Sequence, residues 1–115
     1  MLKYKLLHNP RCRKSREGLK FLKAKKIEFE TVLYLEDLLD KKQIEEIIDK
    51  SKLNPIDFIR KQEKVWKELF INKFLSKNQI IYVIFEHPKL MQRPIFISEN
   101  KAIIANPPEE SLKIL

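Results

Sequence analysis

The segment His8-Asn9-Pro10-Arg11-Cys12-Arg13-Lys14-Ser15-Arg16 gathers one thiol, one imidazole, one hydroxyl and four cations into nine residues. Cys12 is the only cysteine of the chain. A helical pattern begins at Arg13, so the free N–H groups of its first turn face the sulfur. Those donors favour thiolate over thiol. Arg11, Arg13, Lys14 and Arg16 add positive potential. Ser15, one turn on, can donate a hydroxyl hydrogen bond to the sulfur. Each effect lowers the Cys12 pKa below the free value of about 8.5. The same amides and guanidiniums can hold a tetrahedral oxyanion. A lone intracellular cysteine is more often buried and inert. The basic, polar surroundings and the helix start favour the reactive reading here. His8, at a strand end, is read evenly as a tuner of Cys12 or as a histidine bonded to a carbonyl.

The elements that must position this segment follow from periodicity. Lys3 to His8 reads as a strand stopped by Pro10, and Arg13 to about Lys25 reads as a helix. Ile27 to Tyr34 reads as a second strand. Strand, helix and strand make a βαβ unit with parallel strands and a right-handed crossover. Ligands of such sheets bind beyond the carboxyl ends of strands, where residues 8–16 lie. Gly18 falls in mid-helix, where it costs about 1 kcal/mol relative to Ala, and is assigned to close helix–sheet packing. Asp40 with Gln43 and Ser76 with Gln79 are spaced as capping boxes. Between them come Pro55, opening a short helix, and the stripe Val65, Trp66, Leu69 and Phe70. Trp66 is read as core and His87 as a helix-end residue. Residues 40–86 are expected to be helical. Pro94 to Ser98 and Lys101 to Ala105 form an antiparallel hairpin. Pro107 or Pro108 then opens a last helix ending near Leu115.

The order βαβ, helical block, ββα is that of an α/β, thioredoxin-like fold. Its sheet is mixed parallel and antiparallel, with a helical insertion between the two halves. At 115 residues the chain is expected to be one domain, with the insertion at about 40–86. In such folds a cis-proline sits beside the reactive cysteine, and Arg93-Pro94 occupies that place. The dipeptide alone does not signal a cis bond. Arg60 is an ordinary surface arginine as far as its local sequence goes.

Composition narrows the function classes. The net charge is +8, but residues 1–26 hold ten basic residues and one acid, a local +9. The remainder carries a net −1. The longest apolar run, Ile80 to Phe85, is far short of a membrane span. No signal-peptide core opens the sequence. One cysteine excludes a disulfide framework and a cysteine-cluster metal site. With no targeting signal it points to a reducing, cytoplasmic setting. One glycine argues against a glycine-rich phosphate loop. Nucleic acid is not expected as a partner, because Tyr4 and Phe21 read as core rather than as stacking platforms.

HNPRCRKSR, with LYLE at 33–36, IRKQEKVWKEL at 59–69, HPKLMQRPIFI at 87–97 and NPPEESLKIL at 106–115, resembles the glutaredoxin-coupled arsenate reductase family. The resemblance runs the length of the chain in order. It implies that Cys12 is the nucleophile that attacks arsenate. Arg60 and Arg93 match two family arginines that bind the oxyanion. His8, Ser15 and Arg16 match residues that tune or frame the thiolate, and Pro94 matches the cis-proline. It further implies glutathione as co-substrate and glutaredoxin as partner, no bound cofactor, no metal and a monomer. Many members carry a third arginine immediately before the proline of the last helix. Here that residue is Asn106, which brings no charge and no bidentate fork. Arg13 stands where the family usually has a small residue.

Two further functions fit parts of the pattern. Cys12-Arg13-Lys14-Ser15 is also the C-x-x-S pattern of a glutathione-linked thiol oxidoreductase. The related Spx-type regulators use this fold to bind RNA polymerase, although they commonly carry C-x-x-C and this chain has Ser15.

Overall fold

The computed structural model describes residues 3–115. The chain divides into two compact units, one from the segments Met1–Leu38 and Arg93–Leu115, the other from Leu39–Gln92.

The first unit holds β1 (Lys5–Leu7), α1 (Arg13–Ala24), β2 (Glu30–Val32), β3 (Ile95–Ile97) and β4 (Ala102–Ile104), followed by a 3-10 helix over Pro108–Ile114. The strand order is β2-β1-β3-β4. β1 runs parallel to β2, with Lys5 opposite Glu30. It runs antiparallel to β3, with Lys5 opposite Ile97, and β3 pairs antiparallel with β4. This is the mixed sheet of a thioredoxin-like fold, with its βαβ and ββ halves joined on β1 and β3.

Leu6, Leu22, Phe96 and Ala105 are fully buried at its centre. Tyr4, Leu19, Phe21, Ile27, Phe29, Ile103 and Ile114 pack around them. Tyr4 stacks on Phe96 at 5.1 Å between centroids, and Phe29 meets the same ring edge-on. Full burial of a side chain such as Leu6, Leu22 or Phe96 contributes roughly 1.5–3 kcal/mol by leaving water. α1 turns Ser15, Gly18 and Leu22 inward. A Cβ on Gly18 would stand 2.7 Å from Pro94 Cγ, so close packing accounts for the mid-helix glycine.

The second unit holds α2 (Lys41–Ser51), a 3-10 turn over Pro55–Phe58, α3 (Lys64–Leu69), α4 (Lys77–Glu86) and a 3-10 turn over Pro88–Leu90. Both capping boxes form. The Gln43 N–H donates to Asp40 Oδ1 at 2.7 Å and the Asp40 N–H to Gln43 Oε1 at 2.9 Å. Ser76 and Gln79 exchange the same pair at 3.2 and 2.8 Å. α2 packs on α4, burying Ile44, Ile47, Ile48, Ile80, Ile81, Val83 and Ile84. An isolated antiparallel bridge joins Ile59 to Met91. His87 caps the C-terminus of α4, and Trp66 is buried.

Several elements depart from their sequence reading. The second strand shrinks from residues 27–34 to Glu30–Val32, because only three residues of β1 are there to pair with it. Ile27 and Phe29 serve the core from outside the ladder. Residues 40–86 are not continuously helical: α3 is six residues long and residues 70–76 lie outside any helix. Of the stripe Val65, Trp66, Leu69 and Phe70, only Trp66 is buried, and Leu69 is exposed. The last helix is 3-10 rather than α.

Candidate functional site

The loop between β1 and α1 is held as a turn by Asn9. Its carbonyl accepts the Cys12 N–H at 3.0 Å, and its Oδ1 accepts the Arg11 N–H at 3.1 Å. This is the Asx-type closure that an Asn-Pro pair favours. The Arg16 guanidinium donates to the Pro10 carbonyl at 2.9 Å, fastening the loop to the first turn of α1. Cys12 is thereby set at the N-cap of α1 as a free, half-buried thiol.

Burial alone would push the Cys12 thiol up. It is outweighed by the Ser15 N–H, by the hydrogen bond and charge of the Arg93 guanidinium, and by the Lys14 N–H. The balance leaves the pKa below its ordinary value. No completed capping hydrogen bond to the sulfur is formed, so the amides act as oriented dipoles rather than as a closed cap. The leading contributions come from these amides and from Arg93, not from the cations that flank Cys12 in sequence. Arg11, Arg13 and Arg16 are exposed, and Arg13 is engaged in an ion pair with Glu17 at 3.1 Å.

The hydroxyl of Ser15 has other partners than the sequence suggested. Ser15 is fully buried, and its Oγ accepts the Asn9 N–H at 2.9 Å and lies 2.7 Å from His8 Nδ1. When the ring carries its proton on Nε2, the hydroxyl hydrogen goes to Nδ1. Ser15 therefore reaches Cys12 through its backbone and reaches His8 through its side chain. His8 is buried as well. Burial, followed by the charges of Arg16 and Lys23, holds its pKa below the ordinary histidine value against the opposing hydrogen bond with Ser15. The imidazole is accordingly neutral at pH 7.

Pro94 follows a cis Arg93–Pro94 bond at the head of β3. Its carbonyl accepts the Ala105 N–H at 2.9 Å, which ties it to the end of β4. A second cis bond, Asn106–Pro107, comes two residues later in that strand's exit. Asn106 is exposed. Cys12, His8, Ser15, Arg16, Arg93 and Pro94 thus belong to one compact unit. Arg60 belongs to the other, where its N–H donates to the Leu90 carbonyl at 2.7 Å and its guanidinium lies 3.5 Å from Glu63.

Two contributors were not singled out from sequence. Asn9 organises the turn, and the Asn-Pro signal was there to find it. Lys23 acts on His8 from the far end of α1, for which helical spacing was the only sign. Among the described residues no three of His, Cys, Asp and Glu come together to hold a metal. Among the described residues no helix is long and apolar enough to cross a membrane.

Relatives match this chain over most or all of their own length. A protein of Escherichia coli K12 called uncharacterized protein YfgD is 40% identical over 113 residues, covering 96% of this chain and 95% of its own. An arsenate reductase of Neisseria meningitidis serogroup A is 33% identical over 117 residues, with all of both chains covered. A solved arsenate reductase of Vibrio cholerae superposes with a TM-score of 0.92 at 33% identity, covering 99% of this chain and 98% of its own. The profile of the ArsC family matches residues 7–114, a span that begins before the cysteine turn and ends within the last 3-10 helix, and the chain belongs to that family.

Proposed function

We propose that the protein reduces arsenate, with Cys12 as its only nucleophile and with thiols supplied from outside. The observation that carries this reading is the half-buried free thiol at the start of α1, held toward thiolate by the Ser15 and Lys14 amides and by Arg93. A thiolate at such a place is a competent nucleophile. The cation that favours it also stabilises the charge of an oxyanion. Relatives called arsenate reductases, at about a third identity over the full length, name the anion.

The chemistry balances with two external thiols. The Cys12 sulfur displaces one oxygen of arsenate, which leaves as water after protonation. One external thiol adds to the arsenic and a second water leaves. Another external thiol then attacks the sulfur of the first, forming a disulfide and leaving its electron pair on arsenic. Arsenic falls from the +5 to the +3 state, and two thiols have become one disulfide. Water finally takes the place of Cys12, releasing arsenite and restoring the thiol. A chain with one cysteine cannot supply the resolving thiols itself. Glutathione and glutaredoxin fill those two roles in this proposal, following the family resemblance. Arg60 enters as an oxyanion ligand from the same resemblance. Asn106 supplies a neutral donor where many members have a charge. No bound cofactor and no metal is required, and a monomer in a reducing cytoplasm suffices.

The test is arsenite formation from arsenate in the presence of glutathione and glutaredoxin. Turnover abolished by Cys12→Ser is the expected result. Turnover no greater than that of the variant rejects the proposal. Removal of glutathione from a model mixed disulfide, with no arsenate turnover, would instead mark a general glutathione-linked oxidoreductase.

A further inference from the structure

Gly18 is the only glycine of the chain, and no turn requires it. It lies in the middle of α1 with helical neighbours on both sides and an ordinary negative φ. What singles it out is what it faces. A Cβ built there would come within 2.7 Å of Pro94 Cγ and 3.7 Å of both Pro94 Cβ and the Ala105 carbonyl oxygen. Carbon atoms at 2.7 Å are far inside their contact distance, so helix and proline would have to part. Pro94 has little room to retreat. It is buried, and its carbonyl is bonded to the Ala105 N–H at the end of β4. Arg93, the residue before it, is the side chain that reaches the Cys12 sulfur. Cys12 itself is fixed to the start of the same helix that carries Gly18. The distance between nucleophile and arginine is therefore set by how closely Pro94 seats on α1.

We propose that Gly18 is a positioning residue of the site: its bare Cα lets the Arg93–Pro94 segment lie against α1, and this holds the Arg93 guanidinium on Cys12. Gly18 touches neither the thiol nor any substrate. Any side chain at this position acts as a spacer under Pro94, and the first group to lose its partner is the Cys12 thiolate. This deepens the thiolate reading of Cys12 given above and rests on it.

The experiment is the pH dependence of Cys12 alkylation by iodoacetamide in the full-length protein, with thermal unfolding recorded beside it. Gly18→Ala is expected to raise the midpoint by about half a unit or more, a roughly threefold loss of thiolate below the midpoint. Arg93→Ala raises it by at least as much. In the Arg93→Ala background, adding Gly18→Ala moves it no further, because the contact that Gly18 positions is already gone. A purely structural role would lower the unfolding temperature and leave both midpoints in place. Equal shifts with and without Arg93 overturn the proposal. If Gly18→Ala is too unstable at room temperature, the same titration is run in the cold on the folded protein; the same rise is expected there, and an unmoved midpoint overturns the proposal. A wild-type midpoint at the free-thiol value overturns the thiolate reading and this inference together. A depressed wild-type midpoint that Gly18→Ala does not move overturns this inference alone.

Discussion

Ser15 joins two groups through one buried hydroxyl. The Asn9 N–H and His8 Nδ1 both meet its Oγ. Ser15→Ala leaves an amide and a ring nitrogen facing a methyl group. Leaving such groups unmet costs about 1–3 kcal/mol, and urea unfolding of the variant is expected to show a loss of that size. His8 adds a dependence on pH. Its folded pKa lies below the ordinary value near 6.5, so the unfolded chain takes up the proton first. The stability linked to His8 is complete above about pH 6.5 and declines as pH falls through the folded pKa. A lower melting temperature at pH 5.5 than at pH 7.5 is expected, with a smaller drop for His8→Asn. A drop of equal size in that variant would move the effect to other groups. Cys12 has the same sign at higher pH, its thiolate being worth most above the free-thiol value. At this scale the sequence was informative about which atoms matter and less so about their links. The cysteine, the histidine and the serine could be named from spacing. That the serine hydroxyl serves the histidine, and that Arg93 outweighs Arg11 and Arg13, depends on side-chain directions that spacing does not carry.

At the scale of elements, helix starts were legible and extents were less so. Asp40-x-x-Gln43 and Ser76-x-x-Gln79 close boxes between residues three apart, a local geometry that any helix imposes. The length of β2 is set by a partner strand more than twenty residues away, and α3 ends at Phe70, whose ring meets Trp66 and His87. Helix ends also carry a recoverable cost. α2 closes on Lys52, which adopts the left-handed conformation with φ 59°. Glycine takes that conformation without its Cβ crowding the next carbonyl. Lys52→Gly is expected to raise stability by about 1 kcal/mol, read as a higher midpoint in urea with an unchanged slope. A loss of stability would show that the Lys52 side chain has a role the helix end does not explain.

For the molecule as a whole, charge and connectivity matter more than any one bond. Of the basic residues in 1–26, Arg11, Arg13, Lys14 and Arg16 lie within four positions of Cys12 in sequence, and all four are exposed. Exposed charges act over a Debye length of about 30 Å at 0.01 M salt and about 3 Å at 1 M. Anionic iodoacetate is expected to gain on neutral iodoacetamide at low salt, relative to the same ratio for free glutathione. That advantage shrinks toward the glutathione value at about 1 M salt. A ratio indifferent to salt would mean that the basic surface does not steer anions to Cys12. The concentration of charge was plain in the sequence, because it needs only counting. The helical insertion expected at about 40–86 lies within the second compact unit, Leu39–Gln92, because a run of helical patterning between two strand-bearing halves is also a local signal.

That rejoining also orders events in time. β1 is a central strand, and its antiparallel neighbour β3 is made about ninety residues after it. While the chain is being synthesised, Cys12 emerges early and Arg93 late. Until β3 has paired with β1, the sulfur lacks the guanidinium that favours its ionised form. The unfinished polypeptide therefore carries a cysteine with less of its eventual reactivity, and that reactivity arrives with the closing of the sheet.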